Sequence, residues 1–145
     1  GVYMAGTILK TNMVNPGQDC LIPYTVDEIA KANIFVLEQC VPVAMKGCNY
    51  LSGGQTLEQA AARLSAINKA NSKGPWNLSF SWSQALQLPL LGLCHKGIDG
   101  LGEMQLEAMG RLYIQELKIA SAAAKGTYEW PDRDGNHTRP AKRKR

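Results

Sequence analysis

Hydrophobic positions along this chain change period several times, and the changes mark out a series of elements. Val2-Tyr3-Met4-Ala5-Gly6-Thr7-Ile8-Leu9 is apolar and β-rich and runs straight into Lys10, which predicts a strand. After the Pro16-Gly17 break, Thr25 and Glu28 have the spacing of a capping box. Ile29, Ala32, Val36 and Cys40 then recur at helical spacing, which predicts a helix with those four on one face, stopping before Pro42. The sequence repeats the arrangement. Val43 to Leu51 reads as a short strand ending at Ser52-Gly53-Gly54, Thr56 and Gln59 form a second capping box, and Leu57, Ala60, Ala61, Leu64 and Ile67 share a helix face. A turn cluster at 71–75 precedes Trp76-Asn77-Leu78-Ser79-Phe80-Ser81-Trp82, where large apolar and small polar residues alternate as in a strand. Gln84 to Cys94 reads as a helix containing Pro89. A glycine-rich stretch from Gly97 to Gly102 leads to a last helix from Glu103 to about Lys125, with Leu106, Met109, Tyr113, Leu117 and Ala120 on one face.

Strand, helix, strand, helix, strand, helix is the order of a parallel α/β architecture. Right-handed crossovers allow an open doubly wound sheet or part of a barrel. Three strands cannot close a barrel, which needs eight and typically about 250 residues, so a barrel parent implies that these 145 residues are a piece of it. The start at Gly1 fits the same expectation.

Composition narrows the picture. At 45% hydrophobic the chain can bury one core, and no apolar run reaches the roughly 18 residues of a membrane span, so a soluble, cytoplasmic protein is expected. The net charge of +4 belongs entirely to the last residues, where Arg133, Arg139, Lys142, Arg143, Lys144 and Arg145 outnumber Asp132 and Asp134. The expected division is therefore a folded part over 1–125 and a flexible basic tail over 126–145. Its basic run has no aromatic interleaving to suggest nucleic-acid binding. Cys20, Cys40, Cys48 and Cys94 form no CxxC pair and match no zinc spacing, so they read as free thiols. His95 and His137 are too few and too far apart for a histidine metal site.

In parallel α/β folds the chemistry gathers at the carboxyl ends of strands. Three places qualify: Lys10, the Ser52-Gly53-Gly54 loop, and the corner Ser81-Trp82-Ser83-Gln84. A lysine ending a buried strand is desolvated, which lowers its pKa and frees a neutral amine to attack a carbonyl; the alternative is a surface lysine with its head in water. Glycines before a capped helix let backbone N–H groups approach an anion, although an ordinary tight turn has the same composition. Leu51-Ser52-Gly53-Gly54-Gln55 also spells the signature of ABC-type ATPases, but the GxxxxGK[ST] run those proteins need is nowhere in the chain.

Taken together, these segments resemble class I fructose-bisphosphate aldolases. Gly6 to Val14 resembles the strand that delivers their Schiff-base lysine, here Lys10. Leu51 to Gln55 resembles their phosphate loop and Ala66-Ile67-Asn68-Lys69 the helix after it. Pro75 to Ser81, then Ala85-Leu86-Gln87, resembles the last barrel strand and the helix that follows. The resemblance implies a (β/α)₈ barrel whose last three strand–helix units are present here, followed by a long C-terminal helix. It implies cleavage of fructose 1,6-bisphosphate through an iminium on Lys10, with no metal and no cofactor. A sugar phosphate would be held by Ser52, Gly53, Gly54, Ser81, Ser83 and Gln84, in a homotetramer in the cytoplasm or a plastid that binds neither nucleic acid nor membrane. Departures are visible. Ala5 stands where the family commonly has Glu and Thr11 where it has Pro, and Ser83-Gln84 replaces a glycine–arginine pair that grips the phosphate. Losing that guanidinium forfeits roughly 1–3 kcal/mol of phosphate binding. The family's acid–base residues lie on earlier strands, so the piece alone is expected to be inactive. The alternative function is an aldolase-like scaffold without catalysis.

Overall fold

A computed structural model describes residues 1–17, 19–94 and 102–130. His95, His137, most of the glycine-rich stretch and the basic run after 130 lie outside the described residues.

Three strands, β1 (Ile8–Thr11), β2 (Gly47–Tyr50) and β3 (Asn77–Phe80), alternate with α1 (Val26–Cys40), α2 (Leu57–Ala70) and α3 (Gln84–Cys94), and α4 (Glu103–Ala124) closes the order. The strands form one parallel sheet in the order β1-β2-β3. This is the expected partial α/β architecture, with three parallel strands and four helices. All three strands are shorter than their sequence patterns suggest. The residues before Ile8 do not extend β1: Met4–Gly6 is a 3-10 turn, with Gly6 N donating to Tyr3 O at 3.1 Å and the Thr7 hydroxyl to the same oxygen at 2.9 Å. Local bonds there replace a ladder that has no partner strand among the described residues. Before β2, Met45 N closes a turn onto Pro42 O at 3.0 Å, which delays the strand to Gly47.

Both capping boxes are present. Glu28 N donates to Thr25 Oγ1 and Thr25 N to Glu28 Oε2, at 3.2 and 2.7 Å. Gln59 N donates to Thr56 Oγ1 and Thr56 N to Gln59 Oε1, at 3.3 and 3.2 Å. Each satisfies two donors that a helix start would otherwise leave open. α4 stops at a glycine: Gly126, at φ +70, lets Thr127 N reach Ala122 O at 2.9 Å. The Ser65 hydroxyl then donates to Tyr128 O at 2.8 Å, fixing the segment after α4 on α2.

The sheet has two unlike faces. Cys48, Leu78 and Tyr50 point into the helices and are almost fully buried, with Leu64, Ile67, Ala60, Ala61 and Ala120 packed around them. Burying each Leu or Ile contributes about 1.5–3 kcal/mol. The α2 face read from the sequence is the buried one at all five positions. That of α1 is not. Ile29, Ala30, Asn33 and Leu37 are buried, while Val36 and Cys40 are exposed. Asn33 carries the difference, since its amide reaches the Val14 backbone and the buried stripe therefore includes a polar residue. On α4 Ala120 is buried, Met109 and Leu117 are half-buried, and Leu106 and Tyr113 stay exposed. Glu116, next to that stripe, is buried, and burial together with Glu58 pushes its carboxyl above the ordinary range.

The opposite face of the sheet carries Ile8, Lys10, Asn49, Asn77 and Ser79 and has no helix over it among the described residues; Ile8 is 61% exposed. A sheet covered on one face and open on the other is what a section of barrel wall presents.

Candidate functional site

The ladder decides which residues meet. Lys10 pairs with Asn49 and Asn49 with Ser79, so the three form one row across the open face. Beyond the last pairs, Leu51 N donates to Thr11 O and Ser81 N to Tyr50 O, both at 2.8 Å. The loops after the three strands therefore leave from one end of the sheet. Lys10, Ser52 and Ser81 sit at that same end, as expected from the strand pattern.

The turn after β2 is built for a close backbone approach. Gln55 N donates to Ser52 O at 3.0 Å, and Gly53 and Gly54 stand at φ +49 and +77, left-handed values that favour glycine. A Cβ on Gly53 would lie 2.6 Å from Asn12 Oδ1, so the loop after β1 packs directly on this turn; a Cβ on Gly54 would meet nothing within 4 Å. Ser52 is buried, while the two glycines are exposed. Thr56 caps α2 immediately afterwards, so exposed amides and a helix start lie together.

At the third corner Phe80 and Trp82 pack ring to ring at 4.9 Å, and the buried Trp82 indole N–H finds no acceptor among the described residues. Ser83 is the first turn's carbonyl acceptor for α3, receiving Leu86 N and Gln87 N at 3.1 and 2.9 Å, and its hydroxyl pairs with Gln87 Oε1 at 2.9 Å. Gln84 is exposed at the start of α3, and no acidic residue occupies the first turn of that helix.

Two expectations change. Lys10 is exposed rather than desolvated, because the open face has no wall over it. Nor do the candidate residues line the groove that the described residues form. A groove of about 390 Å³ runs along α4 and Thr127, lined by Ile114, Leu117, Lys118 and their neighbours, and it contains none of the candidate residues. Sequence reasoning missed Asn49, which pairs with Lys10, and Ser79, which pairs with Asn49; counting alternate positions back from Leu51 and Ser81 would have found them. It also missed the buried Arg63. Among the described residues no group of three His, Cys, Asp or Glu side chains is placed to hold a metal ion, and no helix is long and apolar enough to cross a membrane. Cys48 faces the helices, and burial pushes its thiol up to about 11, which leaves it protonated rather than nucleophilic.

Chemically, the arrangement offers one primary amine beside a set of neutral N–H and hydroxyl donors at a helix start, which suits a molecule bearing both a carbonyl and a phosphate. Comparison with known proteins gives the chain's relatives. The sequence model described as fructose-bisphosphate aldolase class-I matches residues 1–143. Fructose-bisphosphate aldolase C of Macaca fascicularis and that of Homo sapiens are each 41% identical over 134 residues, covering 92% of this chain and 35% of theirs. A solved structure of fructose-bisphosphate aldolase from Plasmodium falciparum, in complex with TRAP and a small-molecule inhibitor, superposes with a TM-score of 0.80 at 32% identity, over 89% of this chain and 35% of that one. The chain thus spans about a third of the length of the relatives it matches.

The two turn glycines differ in a way that can be measured. Both are left-handed, so alanine is strained at either. Only at position 53 does the new methyl also strike Asn12. Gly53→Ala should therefore lower the thermal stability of the full-length protein more than Gly54→Ala, by a difference worth about 1 kcal/mol or more. Equal losses would show that the Asn12 contact does not constrain the turn.

Proposed function

The chain belongs to the class I fructose-bisphosphate aldolase family, and from that premise we propose that Lys10 is the Schiff-base lysine of a full-length enzyme cleaving fructose 1,6-bisphosphate. The products are dihydroxyacetone phosphate and glyceraldehyde 3-phosphate, and the reaction is reversible. The observation that supports this best is the placement of Lys10 on the open face of the sheet, at the same end as the Ser52-Gly53-Gly54 turn and Ser81. A substrate whose phosphate sits on that turn has its ketone near the amine.

The chemistry follows from the lysine. Its neutral amine adds to the C2 ketone and water leaves, giving an iminium. A base takes the proton from the C4 hydroxyl, the C3–C4 bond breaks, and its electron pair moves into the iminium to give a neutral enamine instead of a carbanion. Protonation at C3 and hydrolysis return the amine and release dihydroxyacetone phosphate. In this reading the base and the remaining charged groups come from other strands of a (β/α)₈ barrel, of which β1 to β3 are the last three. These 145 residues alone are then inactive. The missing strands would also wall in Lys10 and desolvate it. Ser52, Gly53, Gly54, Ser81, Ser83 and Gln84 hold the phosphate beside the ketone. The full-length protein is a cytoplasmic homotetramer in the same reading.

Covalent trapping tests the lysine. Full-length protein treated with dihydroxyacetone phosphate and borohydride should carry a stable adduct on the peptide containing Lys10. An adduct on Lys46 or Lys69 instead would remove the assignment.

Gln84 generates a second expectation. A phosphate carries close to two negative charges, and neutral amides and hydroxyls balance only part of that. Gln84→Arg in the full-length protein supplies a full charge and a forked donor at the start of α3. The Michaelis constant for the bisphosphate should fall up to about tenfold, or about 1.4 kcal/mol, with less change in kcat and with the gain weakening in salt. An unchanged constant would show that Gln84 is not at the phosphate.

A further inference from the structure

The loop that follows Lys10 is held from below by a buried guanidinium. Arg63, in the second turn of α2, is 6% exposed, and among the described residues no carboxylate lies within ion-pair distance of it; the recorded ion pair is Arg111–Glu107, on α4. Its partners are neutral. Arg63 Nη1 donates to Gln55 Oε1 at 2.8 Å and to Asn15 Oδ1 at 3.3 Å. Burial pulls the guanidinium below its usual pKa, with Tyr24 acting in the opposite direction.

Those partners belong to the site. Gln55 is the last residue of the glycine turn; it is 9% exposed, and its Nε2 reaches Met13 Sδ at 3.7 Å. Met13 and Asn15 lie in the loop that leaves β1 after Lys10. From the other side the α1 residue Asn33 clamps that loop, accepting from Val14 N and donating to Val14 O, both at 2.9 Å. Asn12 of the same loop packs against Gly53. One planar head thus joins the loop behind the amine to the turn that offers the backbone amides. Neutral acceptors offset the desolvation of a buried guanidinium less well than a carboxylate would, so packing stability does not by itself explain the arrangement. What it provides is direction, since one nitrogen of a planar, rigid head ties two amide side chains from two different loops together.

We propose that Arg63 is a positioning residue that, through Gln55 and Asn15, sets the spacing between Lys10 and the phosphate-binding turn. The proposal rests on the Schiff-base reading and adds to it a reason why phosphate and ketone are presented together. Small errors in such a spacing are costly, because the amine and the phosphate site must serve the same bound molecule.

The test compares two ketones in the full-length protein. Dihydroxyacetone needs only Lys10, whereas dihydroxyacetone phosphate also uses the turn. Borohydride trapping rates are measured for both with the unaltered protein, with Arg63→Met and with Gln55→Ala; the last breaks the same link without removing a charge and keeps the test decisive if Arg63→Met does not fold. The expected result is that the advantage of the phosphorylated ketone falls about tenfold in either variant, while trapping of dihydroxyacetone on Lys10 is unchanged. An unchanged ratio, or equal losses with both ketones, would show a purely structural role and overturn the proposal. If the unaltered protein forms no adduct on Lys10, the Schiff-base reading itself fails and takes this proposal with it, an outcome distinct from the first two.

Discussion

The parallel register of three short strands is the constraint from which the site follows. Each strand has four residues, and side chains alternate across the sheet, so a slip of one residue would turn Lys10 toward the helices and bring Leu9 to the open face. The register is held on the helix side, where Cys48, Tyr50 and Leu78 fill the core and leave no room for a polar substitute. Two backbone bonds, from Leu51 N to Thr11 O and from Ser81 N to Tyr50 O, carry the order past the last pairs and make the loops leave together. Packing on one face thereby sets the chemistry available on the other.

What the sequence makes legible depends on how local the signal is. The capping boxes at Thr25–Glu28 and Thr56–Gln59 and the five-residue apolar face of α2 are local, and they appear as read. Trp76, Leu78 and Trp82 are buried as the alternation requires. Failures occur where a distant partner decides. The buried stripe of α1 includes Asn33 because the loop at Val14 needs an amide, and a hydrophobic period cannot register that. The first strand begins late because Tyr3 and Met4 satisfy Gly6 and Thr7 locally. Lys10 lies on its strand as expected yet is exposed. Most of the candidate site is readable because it consists of loops that follow strands. Arg63 is not, because an arginine in an alanine-rich helix looks like surface.

Two places around the candidate site differ in one type of group. The corner at Ser83-Gln84 has no guanidinium, and α2 has one, buried, eight residues after Gln55. They do different work. Arg63 donates to Gln55 and Asn15, whereas the turn after β2 presents exposed glycines beside a capped helix start. If the turn binds phosphate as proposed, such a site relies on geometry more than on charge and is less sensitive to salt.

An experimental structure of the full-length protein with dihydroxyacetone phosphate, reduced in place, tests the central claim most directly. The account predicts a covalent bond from the substrate's C2 to Lys10 Nζ, with the phosphate oxygens within hydrogen-bonding distance of the Gly53 and Gly54 amides and the Ser52 and Ser81 hydroxyls. A phosphate bound at any other loop while Lys10 carries the adduct, or an adduct on another lysine, would contradict it.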